Sequence, residues 1–508
     1  MAEKQKTSWV YTPKAINTRR GLLYGLTDLM GGGWNNIVSG VIFVFVLSQG
    51  ISPLFTGAVL GIGRIIDAVW SLFFGAITDR FYRTRLGRKY GRRHFFIALG
   101  GILFAILFPM FWISTSSWQY YLWVYVAIEV AISMILIPWE TLPTEMTPDY
   151  KKRTTLSGSR MFISATGTAI VFFTLAVLKS FNNPNAYLYT GITWTVIFVI
   201  AIFTSWRASW ERPLTPEFLA ELDAQPRLGF SGFMKKTVTD YFGTFKNKSF
   251  RKHLLVYLLS FTGKDFYSTL LPTFIVIGLS GTSANAPWVL QALSAFGILS
   301  TIAAVKLMVT RGPKYLFTLS YLAIIVAMLG YFVIYLTGIN NPMWMLVIVS
   351  IIYQLGRGIL EFTPWNVFPF IPDVDRIFTH GDKAGVYASV MTFFRKSTGA
   401  LATYIAGWAL EEIGFNSTTM TTHANTPLGI QHGIMLIFIF VPIGLLAAAL
   451  IAARTFKLNR ANHDILKAEL QRLEEGGSKA DVTLETRQVV ELLTGHSYEK
   501  CWPDQADI

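Results

Sequence analysis

Charged side chains interrupt stretches of this chain that are otherwise apolar enough to cross a membrane. Five are carboxylates and five are basic: Asp28, Arg64, Asp67, Glu129, Arg160, Lys264, Asp265, Arg357, Glu361 and Lys396. Near the centre of a bilayer, each charge costs roughly 2.5–3.5 kcal/mol on insertion scales. A protein with no use for these groups would not sustain that cost, so we expect them to line a polar cavity that performs the function.

The composition indicates a polytopic membrane protein. Of the 508 residues, 52% are hydrophobic and only 15% are charged, against roughly 25% in soluble proteins. The net charge of +14 comes from basic residues in short segments between apolar spans. This is the positive-inside pattern and argues against nucleic-acid binding. The single cysteine, Cys501, excludes an intrachain disulfide framework and a cysteine-rich metal site.

A membrane-spanning helix needs about 20 mostly apolar residues. By that measure we expect an all-α membrane protein of twelve transmembrane helices in two pseudo-symmetric six-helix halves. The predicted spans cover residues 21–49, 53–79, 94–115, 118–145, 158–180, 186–206, 253–280, 285–309, 315–337, 343–371, 385–413 and 428–454.

Loop charge then divides and orients the chain. Lys and Arg concentrate after the second span, after the fourth, in the central linker and after the eighth, and Lys179 is an exception on the other side. Both termini are therefore expected in the cytoplasm. The predicted segments are a cytoplasmic N-terminus (1–20), a first bundle (21–206), a cytoplasmic linker (207–252), a second bundle (253–454) and a solvated, partly disordered cytoplasmic tail (455–508).

The two halves repeat a short motif. The sequence Pro-Trp-x-x-x-Pro ends the fourth span at 138–143 and recurs near the end of the tenth at 364–369, and Asp28 and Asp265 also hold equivalent places. Internal repeats are characteristic of secondary transporters, which bind substrate near the midplane between their halves. Chance recurrence of Pro and Trp in apolar sequence is the alternative.

Several motifs in order resemble the glycoside–pentoside–hexuronide:cation symporters, a family that includes the melibiose permease and belongs to the major facilitator superfamily. They are Gly63-Arg64-Ile65-Ile66-Asp67-Ala68, Thr78-Asp79-Arg80, the stretch from Pro138 to Asp149, Arg153-Thr154-Thr155-Leu156-Ser157 and Ile371-Pro372-Asp373-Val374-Asp375. The resemblance covers roughly residues 20–455. It implies an alternating-access carrier of a sugar or glycoside, driven by a sodium or proton gradient.

The resemblance also implies roles for individual residues. Asp28 matches the first-helix aspartate that bonds sugar hydroxyls, Arg160 an arginine that supports the sugar site, and Lys396 a lysine between the cation and sugar sites. The family's second-helix cation motif is incomplete here. Asp67 is present, but Ser71 replaces the second acid.

We predict substrate contacts for Asp28, Arg160, Lys264, Asp265, Trp365 and Lys396. Internal ion pairing of Asp28, and packing roles for tryptophan, are the alternatives. The basic excess among Arg160, Lys264, Arg395 and Lys396 favours an acidic sugar, because a carboxylate or sulfonate accepts charge-assisted hydrogen bonds. Pairing of Lys264 with Asp265 or Asp28 would remove that excess.

Coupling is assigned to Asp67 and Lys396. With one carboxylate instead of two, we predict proton coupling over sodium coupling, and uniport remains an alternative. Gating is assigned to Asp79, Arg80 and Arg88 in the loop after the second span. It is also assigned to Arg357 and Glu361, whose i,i+4 spacing allows them to pair. Glu129 is expected to pair with an arginine such as Arg64.

The expected ligands are a small-molecule sugar, membrane lipids and a coupling H⁺ or Na⁺, with no other cofactor, no metal site and no nucleic acid. We expect a monomer in the bacterial cytoplasmic membrane. A sodium-coupled symporter of a neutral glycoside and a carrier of lipid-like solutes with the same fold are the alternatives. No histidine lies in a ligand motif such as His-Glu-x-x-His, and no signalling domain is recognisable, so an enzyme or receptor is disfavoured.

Overall fold

A computed structural model describes residues 9–147, 149–180, 183–223, 230–282, 285–339, 342–379 and 383–502. These residues form helices joined by short connections, and no β-strand occurs among them. The prediction of an all-α protein is confirmed.

The first half contains six helical segments that coincide with predicted spans. TM1 is broken into Thr18–Gly25, Asp28–Ile37, a π-turn at Val38–Ile42, and Phe43–Ser48. The other five are continuous: TM2 is Pro53–Arg80, TM3 His94–Phe111, TM4 Trp118–Met146, TM5 Tyr150–Ser180 and TM6 Ala186–Ala208.

The second half repeats this arrangement. TM7 runs over Lys248–Thr273 and continues into a π-turn at Phe274–Gly278. Both halves therefore have a π-turn in their first helix. The remaining helices are TM8 Asn285–Arg311, TM9 Pro313–Thr337, TM10 Met343–Val367, TM11 Ala384–Glu412 and TM12 Leu428–Arg454.

Seven helices within the described ranges are long and apolar enough to cross a membrane on length and composition. TM7 and TM11 are not among them, and each contains adjacent charged residues, Lys264-Asp265 and Arg395-Lys396. TM1, TM5 and TM8 also lie outside this set.

Side-chain caps set several helix starts. Ser52 accepts a hydrogen bond from the Phe55 amide, with Pro53 in the first turn of TM2. Ser117 and Asn247 cap TM4 and TM7 in the same way. Such caps satisfy amides that have no partner within the helix, and proline fits this position because it lacks an amide hydrogen.

A buried linker carboxylate fixes the start of TM3. Glu211 accepts hydrogen bonds from the amides of Arg92, Arg93 and His94 at 2.8–2.9 Å, and its Oε1 lies 3.0 Å from His94 Nδ1. Burial by itself raises the pKa of a carboxyl, but His94 and these amides outweigh it, so the pKa of Glu211 is lowered. The beginning of the linker is therefore fastened to the first half.

The C-terminal tail is folded, and the expectation of partial disorder is wrong for residues 460–502. Helices Arg460–Glu474 and Leu484–Thr494 pack beneath the second half. Leu493 O accepts from Ser249 Oγ at 2.7 Å, and Ile377 O accepts from the Trp502 amide at 2.7 Å. A buried apolar stripe at helical spacing explains why this tail helix docks, and it consists of Leu466, Leu470 and Leu473. The charge pattern of the tail does not by itself reveal this stripe.

The two halves meet closely where TM2 begins, which we call the Pro53 end of the bundle. A β-carbon at Gly407 of TM11 would collide with the Pro53 carbonyl, and one at Gly57 would lie 3.0 Å from the Thr403 carbonyl. The Leu54 amide also donates to Glu411 Oε2 at 3.3 Å. Glycines thus allow TM2 and TM11 to touch backbone to backbone at this end.

We call the opposite end of the bundle, where TM2 ends, the Arg80 end. Gly75 is eighteen residues beyond Gly57, which is five turns of about 3.6 residues and therefore the same helix face. Among the residues that the structure describes, nothing lies within 4 Å of a β-carbon at Gly75. The close contact that this face makes with TM11 at Gly57 is therefore not repeated at Gly75.

We predict that Gly407→Ala will open the Pro53 end. Overpacking costs about 1–3 kcal/mol, which favours the separated arrangement by about fivefold or more. The measurement is labelling of Thr403→Cys, in a Cys501→Ser background, by a membrane-impermeant maleimide, and its rate should rise severalfold. Gly444→Ala is the matched control, because nothing lies within 4 Å of its β-carbon. Equal labelling rates in the two variants would contradict the prediction.

Candidate functional site

The first half places one guanidinium between two carboxylates. Arg160 of TM5 contacts Asp28 of TM1 at 2.9 Å (Nε to Oδ2) and Glu140 of TM4 at 2.8 Å (Nη2 to Oε1). Its guanidinium carbon lies 4.5 Å from the centre of the Trp139 ring. We call Asp28, Glu140 and Arg160 the Arg160 group. Its formal charge is −1, and the Glu140 side chain is 50% exposed.

The break in TM1 positions Asp28. This residue opens the helix Asp28–Ile37, where a carboxylate interacts favourably with the helix dipole. A β-carbon at Gly31 would collide with Asp28 Oδ1, so glycine there leaves room for the carboxylate to turn toward Arg160.

The second half contains the corresponding pair. Arg395 of TM11 binds Asp265 of TM7 through two parallel bonds, Nη1 to Oδ2 at 2.7 Å and Nη2 to Oδ1 at 2.8 Å. TM7 and TM11 are the counterparts of TM1 and TM5, so the aspartate–arginine pair repeats. The Asp265 side chain is only 4% exposed, against 20% for Arg395. Of the pair, Arg395 is therefore the residue that is more accessible to a ligand.

Lys264 does not pair with Asp265 or Asp28. Its Nζ lies 3.0 Å from Glu361 Oε1 on TM10, and Arg357 Nε lies 3.0 Å from the same oxygen. Arg357 and Glu361 thus form the pair that their spacing predicts, while their gating role stays a prediction. We call Lys264, Arg357 and Glu361 the Glu361 group. Its formal charge is +1, and the Glu361 side chain is 38% exposed.

A third group joins the two halves. Lys396 of TM11 reaches Asp67 of TM2 at 2.6 Å and donates to Ser71 Oγ at 2.8 Å. Asp67 Oδ1 accepts from Ser133 of TM4 at 2.5 Å and from Ser71 at 3.2 Å. Ser71, at the place of the missing second acid, therefore hydrogen-bonds both charges of this pair. We call these four residues the Asp67 group.

Arg64 and Glu129 make no direct ion pair among the residues that the structure describes, although their charges interact. Glu129 is buried and accepts a hydrogen bond from Trp34 Nε1 at 3.3 Å. Arg64 instead extends toward TM11, where its Nη1 would lie 2.9 Å from a β-carbon at Gly399. Glycine at this position makes room for the arginine at the interface between the halves.

The two Pro-Trp-x-x-x-Pro motifs place their tryptophans differently. Trp139 is fully buried, and its Nε1 donates to Ser205 Oγ at 3.0 Å. Trp365 is 46% exposed and meets Tyr257 edge to face, with ring centres 5.8 Å apart. Of the two, only Trp365 presents much of its surface for contact with a ligand.

The basic loop after TM2 makes its contacts with residues of the first half. Glu145, near the end of TM4, pairs with Arg92 at 2.5 Å and Arg93 at 3.0 Å. Arg88 Nε donates to the Tyr82 carbonyl at 3.2 Å, and Arg80 is exposed. The Asp79 side chain lies outside the described residues. Gating by Asp79, Arg80 and Arg88 stays a prediction.

The predicted surplus of positive charge is balanced by carboxylates. Glu140 and Arg395 join the ten charges first identified, which gives six acids and six bases. The sequence analysis did not include Glu140 among the intramembrane charges, because the residue lies inside the repeated Pro-Trp-x-x-x-Pro motif near the end of the fourth span. The charges are distributed unevenly, with −1 in the Arg160 group and +1 in the Glu361 group.

Comparison with known proteins identifies the family. The sequence profile of the MFS/sugar transport proteins matches residues 23–460. The chain belongs to this family. The relatives include the uncharacterized symporter sll1374 of Synechocystis sp., 21% identical over 89% of this chain and 96% of the relative, and the glucuronide carrier protein homolog of Escherichia coli, 23% identical over 84% and 90%.

Solved structures show the same fold. A mutant of the nucleoside transporter NupG superposes with a TM-score of 0.60 at 15% identity, covering 86% of this chain and all of that one. A proton-dependent oligopeptide transporter structure gives a TM-score of 0.55 at 12% identity, covering 90% of this chain and all of that one. By its family, the protein is a multi-pass membrane transporter of a small molecule and not an enzyme. Its relatives include symporters. The resemblance to glycoside–pentoside–hexuronide:cation symporters is confirmed.

We predict that Arg160→Gln will destabilise the protein more than Arg160→Gln combined with Asp28→Asn. The single change leaves two neighbouring carboxylates without their shared cation, and breaking a buried pair costs up to about 3–5 kcal/mol, less here because the group is partly exposed. Thermal unfolding of the purified protein measures this, and Glu140→Gln should have a small effect. Additive losses from Arg160→Gln and Asp28→Asn would contradict the prediction.

Proposed function

We propose that the protein imports an acidic sugar, such as a hexuronide, by proton symport with alternating access. The observation that supports this is the opposite formal charge of two partly exposed groups in opposite halves. The Arg160 group carries −1 and the Glu361 group +1. Charged groups exposed within spans must face water rather than lipid, because lipid contact would cost several kcal/mol.

The Arg160 group suits the hydroxyls of a sugar. Carboxylate oxygens accept hydrogen bonds and a guanidinium donates several in a fixed fork, so neighbouring hydroxyls find both kinds of partner. Glu140 is half exposed and Arg160 a quarter exposed, which leaves surface for a ligand. Trp365 offers an apolar face on the other half.

The Glu361 group suits an anion. Two cations share one carboxylate oxygen there, so a substrate carboxylate would bring the group to neutrality. Charge-assisted hydrogen bonds of this kind are roughly twice as strong as neutral ones. A hexuronide carries hydroxyls and one carboxylate, which matches the two groups. The glucuronide carrier homolog among the relatives supports the same substrate class.

We predict that Lys264→Gln will weaken binding of glucuronate relative to glucose. Loss of one charge-assisted hydrogen bond costs about 1.5–3 kcal/mol, so the affinity for glucuronate should fall about tenfold or more. Ligand-induced shifts in the thermal unfolding of the purified protein measure this. Lys467→Gln, on the exposed face of a tail helix, is the control. Stabilisation of the parent protein by neutral glycosides alone would reject an acidic substrate.

The Asp67 group supports proton coupling. The Lys396 ammonium lies against Asp67 and Ser71, where a sodium ion would compete with it. Protonation of Asp67 would remove its attraction to Lys396, and this ion pair links TM2 of one half to TM11 of the other. Proton binding at Asp67 would therefore act directly on the contact between the halves, as coupled transport requires.

We predict that Asp67→Asn will abolish uphill accumulation driven by a pH gradient in proteoliposomes while downhill exchange continues. Ser71→Asp restores the second carboxylate, and we expect uptake by this variant to become sodium-stimulated. Ser71→Ala is the control and should show no such stimulation. Uptake by the parent protein that requires a sodium gradient and ignores a pH gradient would overturn proton coupling.

The asymmetry of the bundle supports alternating access. The halves are in contact at the Pro53 end, and no described residue lies within 4 Å of a β-carbon at Gly75 toward the Arg80 end. The basic loops lie at the Arg80 end, which the positive-inside rule assigns to the cytoplasm. We therefore interpret the arrangement as an inward-open state, and rocking of the halves about the Asp67–Lys396 contact would produce the outward-open one.

A further inference from the structure

A cavity of about 230 Å³ lies between the two halves at the Pro53 end, away from the three charged groups. It is slightly below the roughly 300–1,000 Å³ of typical small-molecule sites, which is room for a single ring. The first half contributes TM1, TM5 and TM6, and the second contributes TM7 and the connection after TM11. The position between the halves places the cavity on the expected route of a substrate.

Both π-turns line this cavity. Gly40 and Val41 belong to the π-turn of TM1, and Val276 and Ile277 to the π-turn of TM7. π-Turns are rare and are frequently found at functional sites. The two π-turns lie at equivalent places of the two halves and line the same cavity. This observation does not depend on the charges of the central groups.

Lys179 places a cation in the same cavity. It is half-buried, and its Nζ lies 3.9 Å from the centre of the Tyr187 ring. The described residues that line the cavity include no carboxylate. Four serine and threonine residues also line the mostly apolar wall: Ser48, Thr273, Ser417 and Thr421. The position of Lys179 in this cavity also explains why a lysine occurs on the side of the membrane where the positive-inside pattern disfavours one.

We infer that this cavity is a second binding site, which takes the carboxylate of an acidic sugar at the Pro53 end before the sugar reaches the central groups. The inference rests on the proposed function and extends it to an outer recognition site. A lone ammonium over an aromatic ring selects an anion with a flat or apolar body. An anionic lipid headgroup has the same chemistry. Because residues of both halves line the cavity, a solute that moves between the halves is the favoured occupant.

The test counts binding sites for 4-nitrophenyl β-D-glucuronide by equilibrium dialysis, with the full chain in phosphatidylcholine nanodiscs. The neutral 4-nitrophenyl β-D-glucoside is the matched ligand. Arg160→Gln together with Lys264→Gln disables both central groups, so the remaining binding reports the outer site. We expect that binding to weaken about tenfold when Lys179→Gln is added and to persist with Lys179→Arg. The glucoside should show no dependence on residue 179.

The outcomes separate this inference from the proposed function. Glucuronide binding lost when both central groups are disabled, and unaffected by Lys179→Gln, would overturn the outer site and leave the central one. Binding that depends on Lys179 but not on Arg160 or Lys264 would uphold the outer site against the central assignment. Binding abolished by phosphatidylglycerol nanodiscs would assign the cavity to lipid and overturn the inference. No glucuronide binding to the parent protein would overturn both.

Discussion

A charge inside a bilayer needs a partner of opposite sign, and the interior of this bundle is arranged around that requirement. The Asp67–Lys396 pair meets it between the halves at 2.6 Å. A buried pair contributes little net stability, but breaking one is costly because the remaining charge is left uncompensated. Any movement that separates TM2 from TM11 must therefore supply a new partner for both groups, and a proton and a substrate are the natural candidates.

The other charges meet the same requirement within each half. Asp28 with Arg160, and Asp265 with Arg395, link the first and fifth helices of their halves. These pairs hold each half together as a unit. The Arg160 and Glu361 groups have formal charges of −1 and +1, so the polarity that suits an acidic sugar arises from the pairing that stabilises the halves.

Close backbone contact determines where the halves touch. Gly57 and Gly407 bring TM2 and TM11 together at the Pro53 end, and Gly399 leaves space for Arg64 near the middle. The π-turns of TM1 and TM7 face each other across a cavity at the same end.

The sequence by itself determined the helical spans, the family and the intramembrane charges, because length, apolarity and ordered motifs are local properties. It also gave the Arg357–Glu361 pair, since i,i+4 neighbours share a helix face. Only the tertiary structure decided which carboxylate each base meets. Lys264 pairs with Glu361, ninety-seven residues away, and Glu140 balances Arg160. The apolar stripe of the tail could be identified as a docking face only once the structure showed the surface that it packs against. Pairing across helices depends on packing, which spacing along one chain does not encode.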